Sequence, residues 1–175
     1  MNGPGRDDHS IIAATGQTGA KTAHPVKQLK NKYFEDYQIG ETVACGSHQV
    51  TEEEIIDFAE KWDPLPIHID KEAAATSPFG GIVASGCHVL AIALRLTNRS
   101  DATPAVLGAI GWDEIRFMKP VRPGDRLSLE LECLEVRSSN SKPDRGIIRQ
   151  LFTLKNQDDR TVFQFKDCIL VGRKT

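Results

Sequence analysis

An apolar segment near the middle of the chain, residues 82–96, restricts the possible folds more than any other feature. Its apolar side chains surround most of the circumference of a helix, which is typical of a helix that is buried. They are Val89, Leu90, Ile92, Ala93, Leu94 and Leu96. Beyond residue 103 the apolar side chains instead alternate with polar ones, most clearly in residues 126–133, as in a half-buried strand. The sequence therefore predicts one buried helix followed by strands.

The segments around this helix are predicted to be strands of one antiparallel sheet. One strand, residues 42–50, precedes the helix, and four or five consecutive strands follow it. The alternation slips at Leu134 and Val136, which indicates a bulge. A sheet with one apolar face must cover that face, and the buried helix is the obvious cover. We therefore predict an α+β fold in which a strongly curved antiparallel sheet wraps around a long central helix.

The composition of the chain changes near residue 32. Residues 1–31 hold Gly, Thr, Ala, Pro and Lys without a sustained apolar period, and we expect them to form a disordered extension. Residues 32–175 carry the patterns described above, and their length suits a single domain. The extension has four basic and two acidic side chains, so the domain is more acidic than the formal net charge of -2 for the whole chain.

Charge and apolar pattern argue against several classes of protein. The net charge of -2 and the pI of about 6.2 are not those expected for broad nucleic-acid binding. No apolar run approaches the roughly 20 residues that span a bilayer, and the first residues lack the pattern of a secretory signal. The cysteines are scattered, without CxxC or zinc-type Cys/His spacing: Cys45, Cys87, Cys133 and Cys168. We expect a cytoplasmic protein with reduced, mostly buried thiols, and neither nucleic acid, membrane nor metal as a partner.

The first candidate for chemistry is a pair of residues in one loop. A helix is predicted after the capping box at residues 51–54, and it ends at Asp63 because Pro64 disfavours the helical conformation in the residue before it. His68 follows five positions later, and Pro66 also stiffens the connection. A carboxylate and an imidazole held together can position a water and move a proton near neutral pH. The same residues also fit a structural role, in which Asp63 only ends the helix and His68 packs as an ordinary side chain.

The second candidate is the start of the buried helix. A glycine pair, Gly80 and Gly81, and the dipeptide Ser85-Gly86 lie just before or at its start. No carboxylate occupies residues 85–88, so free N–H groups there can receive a developing negative charge. Alternatively, the glycines serve only turn geometry and close packing. His88 has no partner at metal-ligand spacing, and we interpret it as a packed helix residue.

These segments resemble a known family. The stretches are Asp63-Pro-Leu-Pro-Ile-His68-Ile-Asp70, Ser77-Pro-Phe-Gly-Gly-Ile-Val-Ala-Ser-Gly86 and Phe117-Met-Lys-Pro-Val-Arg-Pro-Gly-Asp125-Arg-Leu127. They are similar to the MaoC-like dehydratase family, also called the R-specific enoyl-CoA hydratase family, which has the hotdog fold. The resemblance covers about residues 33–171. The chain departs from the family pattern at Leu65, where Asn is common, and at Ser85, where His is common.

The resemblance implies a reaction and roles for individual residues. Members of the family add water to a 2-enoyl thioester of coenzyme A, or remove it. Asp63 and His68 match the positions that hold and activate the water. The backbone N–H of Gly86 matches the group that polarises the thioester carbonyl, with Ser85 beside it to assist the carboxylate or the substrate. This agrees with the chemistry of hydration, which builds enolate charge that a helix N-terminus stabilises.

The resemblance also implies partners. No cofactor is expected, since coenzyme A enters only as the thioester of the substrate, and no metal is expected. Arg116, Lys119 and Arg122 flank the Pro123-Gly-Asp125 turn and are candidates to bind the coenzyme A phosphates; a solvated basic rim explains them equally well. Open sheet edges are usually paired or blunted, and similar hotdog proteins pair through subunit contacts near their sites. We therefore expect at least a homodimer.

Two other functions fit the same fold. A hotdog acyl-CoA thioesterase would use a carboxylate on or near the central helix, but residues 82–99 contain no Asp or Glu. A non-catalytic acyl-thioester-binding domain is the other alternative, and Leu65 is the reason to consider it. Release of free thiol would favour the thioesterase, and tight binding of acyl-CoA without turnover would favour the binding domain.

Overall fold

The structure is a computed structural model that describes residues 30–98 and 102–174. Most of the predicted extension, residues 1–29, therefore lies outside the described residues. Residues 30 and 31 belong to a short strand that pairs in parallel with residues 102–104. Within the described ranges, no helix is long and apolar enough to cross a membrane.

The elements follow the predicted order of one strand, helices and then strands, except that a short strand that was not predicted, residues 30–32, precedes them. They are β1 (Lys30–Lys32), a 3₁₀ turn (Phe34–Asp36), β2 (Thr42–Gln49), α1 (Glu52–Trp62), α2 (Pro66–Ile69), α3 (Lys71–Thr76), α4 (Gly86–Thr97), β3 (Ala102–Pro104), β4 (Val106–Phe117), β5 (Arg126–Ser138), β6 (Arg145–Lys155) and β7 (Thr161–Gly172). The apolar segment begins at residue 82, but the helix begins four residues later because Ser85 is its N-cap. The loop predicted after Asp63 contains the single turn of α2.

Five strands form one antiparallel sheet in the order β2-β5-β6-β7-β4. In this sheet β6 pairs with its neighbours in sequence, β5 and β7. At the sheet edge, β4 pairs with β7 instead of β5. The register between β5 and β6 shifts between Cys133 and Glu135, which confirms the predicted bulge. β2 and β4 are therefore the two edges of the sheet.

The central helix α4 covers the apolar face of this sheet. Its buried side chains pack with those of β5, β6 and β7 in one cluster, which includes Val89, Ile92, Ala93 and Leu96 of the helix and Leu127, Leu129, Phe152, Leu154, Phe163 and Phe165 of the strands. The predicted α+β arrangement is confirmed. One narrow face of α4, formed by Cys87, Ala91 and Arg95, is exposed, so Cys87 is not among the buried thiols.

The turn between β4 and β5 fixes the positions of both helix starts. Gly124 has a φ of 90°, which glycine adopts without strain, and its N–H donates to the carbonyl of Val50 at 2.9 Å. The N–H of Val50 donates in return to the carbonyl of Asp125 at 2.8 Å. Three residues before Gly124, the carbonyl of Val121 accepts from the N–H of Ala84 at 2.8 Å. The start of α1 and the segment before α4 are thereby attached to the same turn.

Candidate active site

Asp63 lies at the end of α1, as the sequence predicts. The helix starts with a capping box in which Thr51 accepts from the Glu54 N–H and the Glu54 side chain accepts from the Thr51 N–H. It ends because Pro64 cannot follow a helical residue easily, and the Asp63 N–H donates to the carbonyl of Ala59 at 2.9 Å. The side chain of Asp63 retains 32% exposure.

His68 is brought towards Asp63 by the single turn of α2. Pro66 is the first residue of this turn, and the His68 N–H donates to the carbonyl of Leu65 at 2.9 Å. The imidazole is buried, and its Nδ1 lies 2.6 Å from the carbonyl oxygen of Val83. Because a carbonyl only accepts, Nδ1 carries a proton, and in the neutral ring Nε2 keeps its lone pair.

Ser85 connects the N-terminus of α4 to Asp63. Its hydroxyl donates to Oδ2 of Asp63 at 2.6 Å. The hydroxyl oxygen, Oγ of Ser85, also accepts from the Cys87 N–H at 3.2 Å. Ser85 is completely buried. One side chain therefore caps the helix and orients the carboxylate, which is the first of the two roles that the sequence left open for Ser85.

The Asp63 carboxylate and the His68 imidazole face each other across a short gap. Nε2 of His68 lies 3.6 Å from Oδ2 of Asp63. This is longer than a direct hydrogen bond, but a water that lies about 2.8 Å from each atom fits it. The arrangement can hold a water and exchange a proton with it.

Gly86 and His68 line one cavity of about 480 Å³. Its walls are mostly apolar and come from the segment around α2, from α4, from the end of β4 and from β7: Ile67, Phe79, Val83, Ala84, Val89, Phe117, Met118, Lys119, Pro120, Val121 and Val162. Gly86 is the first residue of α4, where an N–H has no acceptor within the helix. No acidic residue lies in the first turn of α4, so negative charge from a ligand is favoured there.

The three basic candidates lie in different surroundings. Lys119 lines the cavity. Arg122 donates from Nη2 to the carbonyl of Phe79 at 2.6 Å, which ties it to the turn before α4. Arg116 donates to the carbonyl of its neighbour Ile115. Lys119 is therefore the one of the three that the structure places at the cavity wall.

His88 is a packed residue, as interpreted from the sequence. It is buried and stacks on Phe58 of α1, with ring centroids 4.7 Å apart. Burial lowers the pKa of His88, the carboxylate of Glu54 opposes this effect, and His48 adds to it. Among residues 30–98 and 102–174, no three His, Cys, Asp or Glu side chains are grouped as metal ligands.

Two features of the site gave no signal in the sequence. The carbonyl that fixes the tautomer of His68 belongs to the main chain of Val83, and any residue type there would offer it. The ring of Phe117 lies against Gly86 from the end of β4. Leu65, which departs from the family pattern, is 52% exposed beside Asp63.

A family model also matches the sequence that forms this site. The MaoC like domain matches residues 36–153, which is most of the described chain and includes all of Asp63, His68, Ser85 and Gly86. The chain belongs to the MaoC-like domain family.

Individual relatives support the same assignment. The MaoC-like protein is 29% identical over 111 residues to the 3-hydroxybutyryl-CoA dehydratase of Methylorubrum extorquens, which covers 62% of this chain and 68% of that protein. It is 35% identical to a solved MaoC-like dehydratase from Rhodospirillum rubrum, with a TM-score of 0.75 over 82% of this chain and 99% of that one. Both relatives are named dehydratases, so the family includes hydro-lyases.

A third similarity concerns the fold alone. A Mycobacterium tuberculosis protein described as a double hotdog fold superposes with a TM-score of 0.67 at 20% identity, over 82% of this chain and 45% of that one. Together with the five-stranded sheet on α4, this confirms the predicted hotdog fold.

Proposed function

We propose that this protein is an acyl-CoA hydratase or dehydratase, which adds water to a 2-enoyl-CoA thioester or removes it from a 3-hydroxyacyl-CoA thioester. One observation carries the proposal: Oδ2 of Asp63 lies 3.6 Å from Nε2 of His68, and His68 lines the same cavity as Gly86 at the N-terminus of α4. A site for water and a site for developing negative charge are thus adjacent, as hydration requires.

The proposed reaction assigns one task to each group. The thioester carbonyl accepts from the Gly86 N–H. A water held between Asp63 and His68 forms a bond from its oxygen to the β carbon, and one of its protons passes to the pair. The electron pair of the double bond moves towards the carbonyl as an enolate, which the helix N-terminus stabilises. The α carbon then takes a proton from the pair, so that one water is consumed and no other reactant is needed.

Substrate binding is proposed to use few charged groups. Coenzyme A carries several phosphate charges, and Lys119 at the cavity wall is a candidate to meet one of them. The guanidinium of Arg122 donates to the carbonyl of Phe79, so we propose that Arg122 holds the turn at residues 77–81 rather than a phosphate. We propose no metal or redox cofactor, because general acid–base chemistry and the helix N-terminus account for each step.

We further propose that the protein works as a homodimer that pairs through β4. This strand is an edge of the sheet, and large apolar side chains along it are exposed: Val106, Leu107, Ile110, Trp112, Ile115 and Phe117. Exposed apolar edge strands favour pairing with another strand. A neighbour of similar fold is itself described as a double hotdog, which is consistent with a second unit.

The decisive experiment measures hydration of trans-2-butenoyl-CoA and longer 2-enoyl-CoA thioesters by the loss of enoyl absorbance. We expect Asp63→Asn and His68→Ala to lower kcat by about 10² to 10⁴-fold, the range for loss of a general base. His68→Asn is the second variant at this position, because its amide can still donate to the carbonyl of Val83. Asp57→Asn is the matched control, since Asp57 is exposed on the same helix as Asp63.

The same samples distinguish the alternatives. Wild-type protein that hydrates none of these thioesters contradicts the proposal. Release of free thiol from acyl-CoA would then indicate a thioesterase, although α4 offers no carboxylate for that reaction. Tight binding of acyl-CoA without any turnover would indicate a non-catalytic binding domain.

A further inference from the structure

The absence of a side chain at Gly86 has a specific cause in the structure. The φ of Gly86 is not in the left-handed region, so its backbone conformation suits any residue. A β carbon at this position would lie 2.7 Å from Cζ of Phe117 and 2.9 Å from Cε1. These separations are shorter than carbon atoms tolerate. The ring edge of Phe117 therefore rests directly against the first residue of α4.

Phe117 is held in this position although it is 59% exposed. Its ring stacks on that of Phe163, with centroids 4.9 Å apart and planes inclined by 25°. The two residues are register partners across β4 and β7, and Phe163 is buried. Just beyond, the Met118 N–H donates to the carbonyl of Val162 at 2.9 Å. The ring is thus fixed by a cross-strand pair and by the backbone next to it.

The position of this ring matters because of the atoms that the site must hold. In the proposed reaction the carbonyl oxygen lies at the Gly86 N–H, and the β carbon lies at the water between Asp63 and His68. The α carbon is bonded to the carbonyl carbon, roughly 1.5 Å away. A substituent on the α carbon must therefore lie beside Gly86, where Phe117 forms the wall of the cavity.

We propose that Phe117 is a specificity-determining residue that restricts the acyl group to thioesters with hydrogen, and no carbon branch, on the α carbon. The inference rests on the proposed function, since it concerns the same site. It adds a limit on the substrate that the catalytic pair does not set, because Asp63 and His68 act at the β carbon.

The test compares two substrates, trans-2-butenoyl-CoA and trans-2-methyl-2-butenoyl-CoA, in the wild type and in Phe117→Ala. The measured quantity is the kcat/KM of the unbranched thioester divided by that of the methyl-substituted one. The methyl-substituted thioester is also less reactive intrinsically, so the change of this ratio on mutation is the readout, rather than the ratio itself. One methyl group in an apolar pocket changes kcat/KM by about 10- to 200-fold. We expect Phe117→Ala to lower the preference for the unbranched thioester by at least about tenfold.

The matched control is Met118→Ala. Met118 follows Phe117 directly, is similarly exposed and lines the same cavity, but it is not among the atoms nearest to Gly86. We expect Met118→Ala to change both rates in parallel and to leave the ratio within about twofold, since the apolar contact that it loses lies away from the α carbon and affects both substrates alike. Phe117→Leu is the second variant if Phe117→Ala does not fold.

A stability measurement tests the contact without any substrate. We expect Gly86→Ala to lower the melting temperature of the wild type and to have a smaller effect in the Phe117→Ala background, because the β carbon then meets no ring. Equal effects of Gly86→Ala in both backgrounds would contradict the contact.

The outcomes separate the two proposals. If wild-type protein hydrates 2-butenoyl-CoA and the ratio is unchanged in both Phe117 variants, the role of Phe117 is wrong and the proposed function stands. If the wild type hydrates no 2-enoyl-CoA, the proposed function fails and the inference fails with it. If the preference for the unbranched thioester falls in the Phe117 variants but not in Met118→Ala, the inference is supported.

Discussion

Replacement of Ser85 by alanine tests the link between the helix start and the catalytic pair. Ser85 is completely buried, and its hydroxyl makes two hydrogen bonds that alanine cannot make. It donates to Oδ2 of Asp63 at 2.6 Å and accepts from the Cys87 N–H at 3.2 Å. The first bond orients the carboxylate, and the second caps α4. We therefore expect the substitution to lower kcat through the loss of the first bond and the melting temperature through the loss of the second.

The two amounts follow from the two hydrogen bonds. A hydrogen bond to a charged group contributes about 1.5–3 kcal/mol. If all of it acts in the transition state, its loss lowers kcat by about 10- to 150-fold, at roughly 1.4 kcal/mol for each factor of ten. Replacing a serine N-cap by alanine costs about 1 kcal/mol of folding free energy. In a domain of this size, that lowers the melting temperature by about 2–4 °C.

The assay combines steady-state hydration of a 2-enoyl-CoA with thermal melting, and two further variants separate the roles. Ser85→Thr keeps a hydroxyl and should retain more activity than Ser85→Ala. Ser85→Gly removes the hydroxyl, but glycine at an N-cap costs only a few tenths of a kcal/mol. It should lose about as much activity as Ser85→Ala while melting closer to the wild type.

One result would refute this reasoning. If Ser85→Ala retains kcat within about threefold of the wild type, the bond to Asp63 does not orient the carboxylate for the reaction. A loss of activity that parallels the loss of stability through all three variants would also count against it, because capping alone would then explain both.

Two further predictions concern buried and edge residues. Burial lowers the pKa of His88 below its ordinary value of 6.5, so the folded state resists protonation. The free energy of unfolding should therefore fall as the pH drops below about 6.5, by at most about 1.4 kcal/mol per pH unit, and urea unfolding of His88→Leu should show a weaker pH dependence than the wild type; identical pH profiles would contradict this. Wild-type protein should sediment as a dimer at micromolar concentration and Ile110→Asp as a monomer, because Ile110 is 53% exposed on β4; a monomeric wild type contradicts pairing through this edge.

Much of the fold was predictable because it depends on local patterns. The alternation at residues 126–133 places the apolar side chains of β5 on one face, and the slip at Leu134 marks the bulge seen in the register. The capping box and Pro64 define both ends of α1. The parallel pairing of β1 with β3 had no such signal. It joins two three-residue segments about 70 positions apart, and neither is long enough to show a period.

The candidate site was predictable where it depends on the type and spacing of side chains. Asp63 and His68 are five positions apart in a loop stiffened by proline, and the structure places their polar atoms together. The groups that position them were harder to predict. The Val83 carbonyl is a main-chain atom, so no residue type reveals it. Phe117 and Gly86 are 31 positions apart in the sequence, and they lie close together only because the end of β4 packs against the start of α4.

The strand β4 connects the proposed assembly to the proposed chemistry. It pairs with β7 on one side only, and its register with β7 is interrupted three times. Its last residue, Phe117, is the one whose ring rests against Gly86. The ring leaves no room for a β carbon at residue 86, so a shift of the end of β4 towards α4 would have to move either the ring or the start of the helix. A second copy paired along β4 would supply the missing hydrogen-bonded neighbour and hold the strand in place. In the proposed dimer, pairing along β4 and the shape of the cavity beside Gly86 would therefore be coupled through Phe117.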